Sequence, residues 1–235
     1  MLDTKGPMRW GRFRISDFRN YGPELSVTDV VVKSSNIGTA RMALQIGVER
    51  HKAFLEKLGF FEPTAVELVE APTGRPLLPR QWSEISTITI SYGHGLSASP
   101  MHLAAAYASV LNGGTKVTPT LLRRDRAEVG ERIVSERTSA QVRDMMRQTV
   151  TRGTATFADV PGYAVGAKTG TADKPDPKGG YYEDKVIATF AGIFPSHDPE
   201  YVLIVTLDEP VETSGTEPRR TAGWTAVPVA GEIIP

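Results

Sequence analysis

The sequence predicts an α+β fold with an antiparallel sheet, and three observations carry that expectation. Apolar residues recur at helical spacing to about residue 151, after which the period shortens to that of strands. Three strand-like segments, 163–172, 186–194 and 200–208, then follow one another without the helices an alternating βαβ order would need. A turn-rich segment, DKPDPKGG, opens at Asp173 and separates the first two.

The elements follow in order. Residues 1–24 are loop-rich, carrying Gly6, Pro7, Gly11, Gly22 and Pro23. A helix is expected to start near Asn36 and to run through Ile37, Ala40 and Leu44, with Gly47 interrupting. A second helix carries Val48, Phe54, Leu55 and Leu58 and stops at Gly59. Residues 61–97 read as irregular, with Pro63, Pro72, Pro76 and Pro79. Ser99 can cap the clearest helix, Pro100 suits its first turn and Gly113 its left-handed exit. That helix is apolar nearly all round, which predicts a central, buried position. Another covers about Ser139 to Thr151, where Val142, Met145, Met146, Thr149 and Val150 form one stripe. The continuous apolar run Val186–Phe194 predicts a strand covered on both faces. Tyr201–Val205 marks the third strand, after a Pro195–Pro199 turn.

Composition excludes several classes of function. Lys+Arg and Asp+Glu both number 27 in the 235 residues, so no nucleic acid or other polyanion is expected as a partner. The clusters at Arg123–Arg126 and Arg219–Arg220 are short and read as solvated surface. The absence of cysteine excludes disulfides and thiolate metal sites. His51, His94, His102 and His197 lack metal-ligand spacing, and Pro175 and Pro177 break any calcium loop built on Asp173, Asp176 and Asp184. Gly93-His94-Gly95 lacks the third glycine of a dinucleotide fingerprint, so no cofactor and no metal are expected. The longest apolar run, 186–194, is too short to span a bilayer as a helix, and MLDTKGPMRWGRFRISD has no signal-peptide pattern.

One stretch carries chemistry: GYAVGAKTGT, Gly162–Thr171. As a P-loop it would fit from Gly162 to Thr169 except that Ala167 replaces the last glycine, and no helix follows to hold an anion. An acyl-transfer reading explains the residue types better. A strand-borne K-T-G is one of three elements, with S-x-x-K and S-D-N, of the serine sites in penicillin-binding enzymes and class A β-lactamases. The strand edge at Lys168-Thr169-Gly170 can pair with an extended peptide, and Gly170 permits close approach. Thr169 and Thr171 offer hydroxyls to a carboxylate, and an amide beyond the glycine can serve an oxyanion hole. Lys168 supplies positive charge near a hydroxyl that must lose its proton. Ser34-Ser35-Asn36 supplies an S-x-N element just ahead of a predicted helix, although Ser34 could equally be an N-cap.

Beyond these motifs, the chain resembles the transpeptidase domain of class B penicillin-binding proteins of the cell-division and elongation kind. The likeness lies in SSNIGTARMAL, YGHGLSASPMHLAAAYASVLNGG, Gly153-Thr154-Ala155, GAKTGTA and FAGIFPSHDPEYVLIVTLDEP, in the family's order from about residue 12 onward. It implies the penicillin-binding-protein transpeptidase or serine β-lactamase-like fold, an antiparallel sheet packed with helices plus a helical subdomain. The expectation is a single partial domain over 1–235, with 1–160 mainly helical and 161–235 holding the sheet. The resemblance implies a serine acyltransferase that binds the D-alanyl-D-alanine end of a peptidoglycan stem peptide, releases D-alanine and cross-links strands. It implies acylation by β-lactams, membrane partners in division or elongation, and a parent at the periplasmic face of the bacterial inner membrane. By the same likeness Ser34 would hydrogen-bond Lys168 and relay protons, and Asn36 would bind the substrate amide and the family's motif lysine. Thr169, Gly170 and Thr171 would line the substrate strand.

The departure from the family is the nucleophile. No S-x-x-K occurs in the chain: Ser16 is followed by Asp-Phe-Arg, Ser26 by Val-Thr-Asp and Ser91 by Tyr-Gly-His. The chain therefore reads as a piece of a longer protein, incomplete at both ends and inactive alone, with apolar surface uncovered on the Val110 helix and the sheet. The alternative is a non-catalytic penicillin-binding-like module in a cell-wall synthesis complex.

Overall fold

A computed structural model describes residues 1–64, 66–71, 74–126 and 128–235, and the chain divides into two compact units, Met1–Ser139 and Ala140–Pro235. Among the described residues no helix is long and apolar enough to cross a membrane.

The first unit opens with two small antiparallel sheets that the loop-rich reading of 1–24 does not anticipate. Strand β1 (Leu2–Asp3) pairs with β4 (Glu24–Leu25), and β2 (Met8–Trp10) pairs with β3 (Phe13–Ile15). Helix α1 (Val27–Lys33) follows, capped by Ser26, whose hydroxyl accepts the Asp29 N–H at 3.0 Å. Helices α2 (Asn36–Ile46) and α3 (Val48–Lys57) stand where the sequence puts them, divided by Gly47 at φ 82°. The apolar stripe of α2 explains its place. Ile37 and Ala40 pack with Met8, Ile15 and Ile88, and Val30 of α1 packs with Leu2 and Leu25.

Gly38 has a steric reason. A methyl built there would overlap the Val30 side chain, which is itself buried. Gly38→Ala should cost about 1–3 kcal/mol through overpacking, more than the helix propensity gained in the first turn. Urea unfolding would show a lower midpoint, and adding Val30→Ala should return part of it.

Residues 61–97 are less irregular than expected. Helix α4 (Glu84–Ser91) forms there, started by a Ser83–Ser86 capping box, and it buries Thr87, Ile88 and Ile90. Its sequence, EISTITIS, is dense in β-branched residues that disfavour helix, so tertiary packing and the cap override local preference. Pro72 lies outside the described residues. Helix α5 (Pro100–Leu111) has the predicted Ser99 cap and a Gly113 exit at φ 98°. It is less enclosed than its composition suggests, with His102, Ala106, Ser109 and Leu111 buried and most other residues half-buried. His102 is a bonded core histidine: its Nε2 lies 2.9 Å from the Glu62 carbonyl and its Nδ1 2.7 Å from the Ser99 hydroxyl.

Helix α6 (Glu136–Arg152) leads into the second unit and buries Met146, Thr149 and Val150 from the expected stripe. Three strands then form one antiparallel sheet in the order β5 (Gly166–Pro175), β6 (Tyr181–Phe194) and β7 (Tyr201–Asp208). Strand β5 begins three residues later than the sequence suggests, because Ala164 takes a left-handed φ of 46°. The strand also continues past Asp173, with a register irregularity between Asp173 and Pro175. Arg147 of α6 fixes its start by donating to the Val165 carbonyl at 2.8 Å and to Asp159 at 2.9 Å. Helix α7 (Ala226–Ile233) covers one face of the sheet, with Ala226, Val227 and Ala230 packing near Phe190 and Val205. Of the run 186–194 expected to be covered on both faces, 190–193 and Ala188 are buried, while Val186, Ile187, Thr189 and Phe194 are half-buried.

Candidate functional site

The S-x-N element is a corner between two helices of the first unit. Ser34 ends α1 with φ 57° and ψ 50°, a left-handed conformation that costs a non-glycine residue about 1–2 kcal/mol. Ser35 is the N-cap of α2: its hydroxyl accepts the Gly38 N–H at 3.0 Å, and it is fully buried. The capping role considered for Ser34 thus belongs to its neighbour. Asn36 starts α2 half-buried and donates its side-chain amide to the Ser16 carbonyl at 3.1 Å.

The K-T-G-T element is a strand of the second unit. Lys168, Thr169 and Gly170 lie on β5 opposite Ala191, Phe190 and Thr189 of β6. Because the chain stays extended through Pro175, no helix follows Lys168, and the phosphate-loop geometry is absent. Among the described residues β5 pairs with β6 alone, so its other edge carries no partner strand. A side chain at Gly170 would meet nothing within 4 Å, so the space over the strand is clear there.

The hydroxyls on this strand are oriented. Thr169 Oγ1 lies 2.6 Å from Thr154 Oγ1, a bond that uses one hydroxyl hydrogen and leaves the other to donate elsewhere. Thr171 Oγ1 accepts the Ala222 N–H at 2.9 Å, so its own hydrogen is free to donate to an anion. The Gly223 backbone passes close to Thr154, since a side chain on Gly223 would come within 3.0 Å of the Thr154 carbonyl. Lys168 Nζ donates to the Thr169 carbonyl at 2.8 Å. Lys168 is half-buried, and desolvation of its ammonium pushes its pKa down to about 8.

Two contributions escape sequence reading. Ser16 and Asp17 hold the S-x-N corner from 18 to 20 residues away, and no local pattern announces them. Thr154 sits in the Gly153-Thr154-Ala155 stretch, but its bond to Thr169 spans 15 residues and has no sequence signature.

Residues 3–234 match the transpeptidase family described as the penicillin binding protein transpeptidase domain. A probable peptidoglycan D,D-transpeptidase FtsI of Caulobacter vibrioides is 37% identical over 99% of this chain and 41% of its own length. The penicillin-binding protein PbpB of Mycolicibacterium smegmatis is 35% identical over 99% of this chain and 38% of its own. This chain thus spans about two fifths of the curated relatives it matches. Penicillin binding protein 3 of Mycobacterium tuberculosis, solved with aztreonam, superposes with a TM-score of 0.87 at 31% identity, covering 99% of this chain and 55% of that one. The apo transpeptidase domain of Burkholderia pseudomallei penicillin-binding protein 3 gives 0.87 at 34% identity, covering 99% and 70%. The chain belongs to the penicillin-binding protein transpeptidase domain family.

Proposed function

We propose that this chain is the substrate-holding and proton-handling part of a class B peptidoglycan D,D-transpeptidase. The observation that carries this reading is the edge of β5 that has no partner strand among the described residues, where a desolvated lysine lies two residues from an unobstructed Gly170. The D-alanyl-D-alanine end of a stem peptide would add to that edge as a further strand, with Thr169, Gly170 and Thr171 against it. A lysine whose pKa is lowered toward neutrality suits proton transfer, so Lys168 and Ser34 would pass a proton to the leaving D-alanine amine. Asn36 would hold the substrate amide. β-Lactams would occupy the same edge, a reading supported by the aztreonam and ampicillin complexes of the M. tuberculosis relative.

In this reading 1–160 and 161–235 are portions of one partial domain. Its parent works at the periplasmic face of the bacterial inner membrane, beside division or elongation proteins. The serine that attacks the peptide carbonyl, releases D-alanine and hands the acyl group to an amine lies outside the chain, because S-x-x-K occurs nowhere in these residues. The alternative, a non-catalytic module in a cell-wall synthesis complex, is favoured by that same missing motif.

Two measurements on the 235-residue chain test the proposal. A D-alanyl-D-alanine-terminated peptide should bind saturably and shift the NMR signals of Thr169–Thr171, whereas an absence of binding would leave only the non-catalytic module. Incubation with a penicillin should give no mass gain. A stoichiometric adduct would mean that the acylated residue is in this chain after all.

A further inference from the structure

We propose that Asp17 is a positioning residue for the S-x-N corner, its carboxylate fixing the conformation in which Ser34 and Asn36 are presented. The inference rests on the reading of those two as working residues. Asp17 Oδ2 accepts the Ser35 hydroxyl at 2.8 Å, and Oδ1 accepts the Ile37 N–H at 3.0 Å. One carboxylate therefore grips the residues on both sides of Asn36, while the carbonyl of the adjacent Ser16 takes the Asn36 side-chain amide at 3.1 Å. Hydrogen bonds to an ionised group are the stronger kind.

Helix capping alone does not account for this arrangement. Ser35 already caps α2 through the Gly38 N–H, so the cap exists without the carboxylate. The left-handed turn at Ser34 is closed locally, the Ser34 N–H reaching the Val31 carbonyl at 3.2 Å and the Ser35 N–H the Val30 carbonyl at 2.9 Å. What remains to be fixed is the direction in which the chain leaves that turn. Asp17 holds the Ser35 hydroxyl and the Ile37 N–H, and Ser16 holds the Asn36 side chain, so the three residues that follow the turn are all tethered to the 16–17 segment. Asp17, Ser16 and Ile37 also line an open cleft of about 490 Å³. Water can therefore enter when the carboxylate is removed, and the expected loss is order at the corner rather than global stability.

The test uses the ¹⁵N-labelled 235-residue chain, free and titrated with a D-alanyl-D-alanine-terminated peptide. In Asp17→Ala, the Ile37 amide should exchange at least tenfold faster and the Ser34 and Asn36 signals should move. Peptide affinity should fall about tenfold, while the melting temperature and the free-state Lys168–Thr171 signals stay close to those of the parent chain. Asp17→Asn keeps an acceptor for Ile37 and disturbs only the bond to Ser35. It should retain the Ile37 protection, move the Ser34 and Asn36 signals less, and give an intermediate affinity. Unmoved Ser34 and Asn36 signals in Asp17→Ala would overturn the proposal, and if that variant does not fold, unmoved signals in Asp17→Asn would do the same. If the parent chain binds no peptide, the transpeptidase reading fails, and the free-state signals still decide what Asp17 does.

Discussion

Phe190→Ala will lower the stability of the protein by about 3–5 kcal/mol, the usual cost of emptying a buried aromatic site. Phe190 is wholly buried on β6, the middle strand of the sheet, and packs in the cluster that joins β5, β7 and α7. The hole cannot collapse easily, because β6 is hydrogen-bonded to neighbours along both edges, Thr169 on one side and Val205 on the other. A small residue beside it makes matters worse. The Phe190 ring lies where a side chain on Gly192 would stand, so no neighbour on that strand can fill the gap. Since a whole domain is stable by only about 5–15 kcal/mol, this one change would leave little margin. Phe18→Ala is the control: that ring is 84% exposed, and its removal should shift the urea midpoint negligibly. Equal losses from the two variants would refute this account of the core.

The consequence reaches the candidate site through register. Phe190 is the residue opposite Thr169, so loosening β6 loosens the strand that carries Lys168 and Gly170. Phe190→Leu, which keeps most of the volume, should preserve the Thr169 and Gly170 NMR signals that Phe190→Ala disperses.

How much of this was legible follows from where each element finds its stabilisation. Helices α2, α3, α5 and α6 and strands β5 to β7 announce themselves locally, through the cap at Ser99, interruptions and exits at Gly47, Gly59 and Gly113, and apolar stripes, although the cap of α2 is Ser35 and not Ser34. Helices α1 and α4 do not. VTDVVVK and EISTITIS are β-branched sequences, and their helicity comes from the Ser26 and Ser83 caps and from burial of Val30, Val32 and Ile88. The pairing of Leu2 with Leu25 depends on the fold between them, so two-residue strands leave no pattern to read. The site divides in the same way. Lys168 to Thr171 were legible because a lysine and a glycine on a strand are costly choices that call for a reason. Asp17 and Thr154 were not, because their roles exist only once segments 15 to 20 residues apart are brought together.

Lys168 should make the protein more stable as pH rises from 8 to about 10.4, an unusual direction for a lysine. Below pH 8 both folded and unfolded chains hold the proton, and the folded state bears the cost of desolvating the charge. Between its folded pKa of about 8 and the unfolded value, the folded chain releases the proton while the unfolded chain keeps it. The unfolded state then binds more protons, so stability climbs, by up to about 3 kcal/mol, and levels off above the window. Other groups act later. Lys174, held up near 12 by hydrogen bonds to Asp208 and Glu209, and Tyr107, pushed up to about 12 by burial, change the balance only above pH 10. Lys168→Met, of similar length and without charge, should abolish the rise and at pH 7 be as stable as the parent or more so, by up to about 2 kcal/mol. Urea unfolding at pH 7, 8, 9 and 10 measures both effects, and a flat parent profile with a destabilised methionine variant would remove the argument. The same variant should no longer bind a D-alanyl-D-alanine-terminated peptide. A side chain whose removal strengthens the fold and abolishes binding is present for its chemistry, because packing alone would have favoured the methionine.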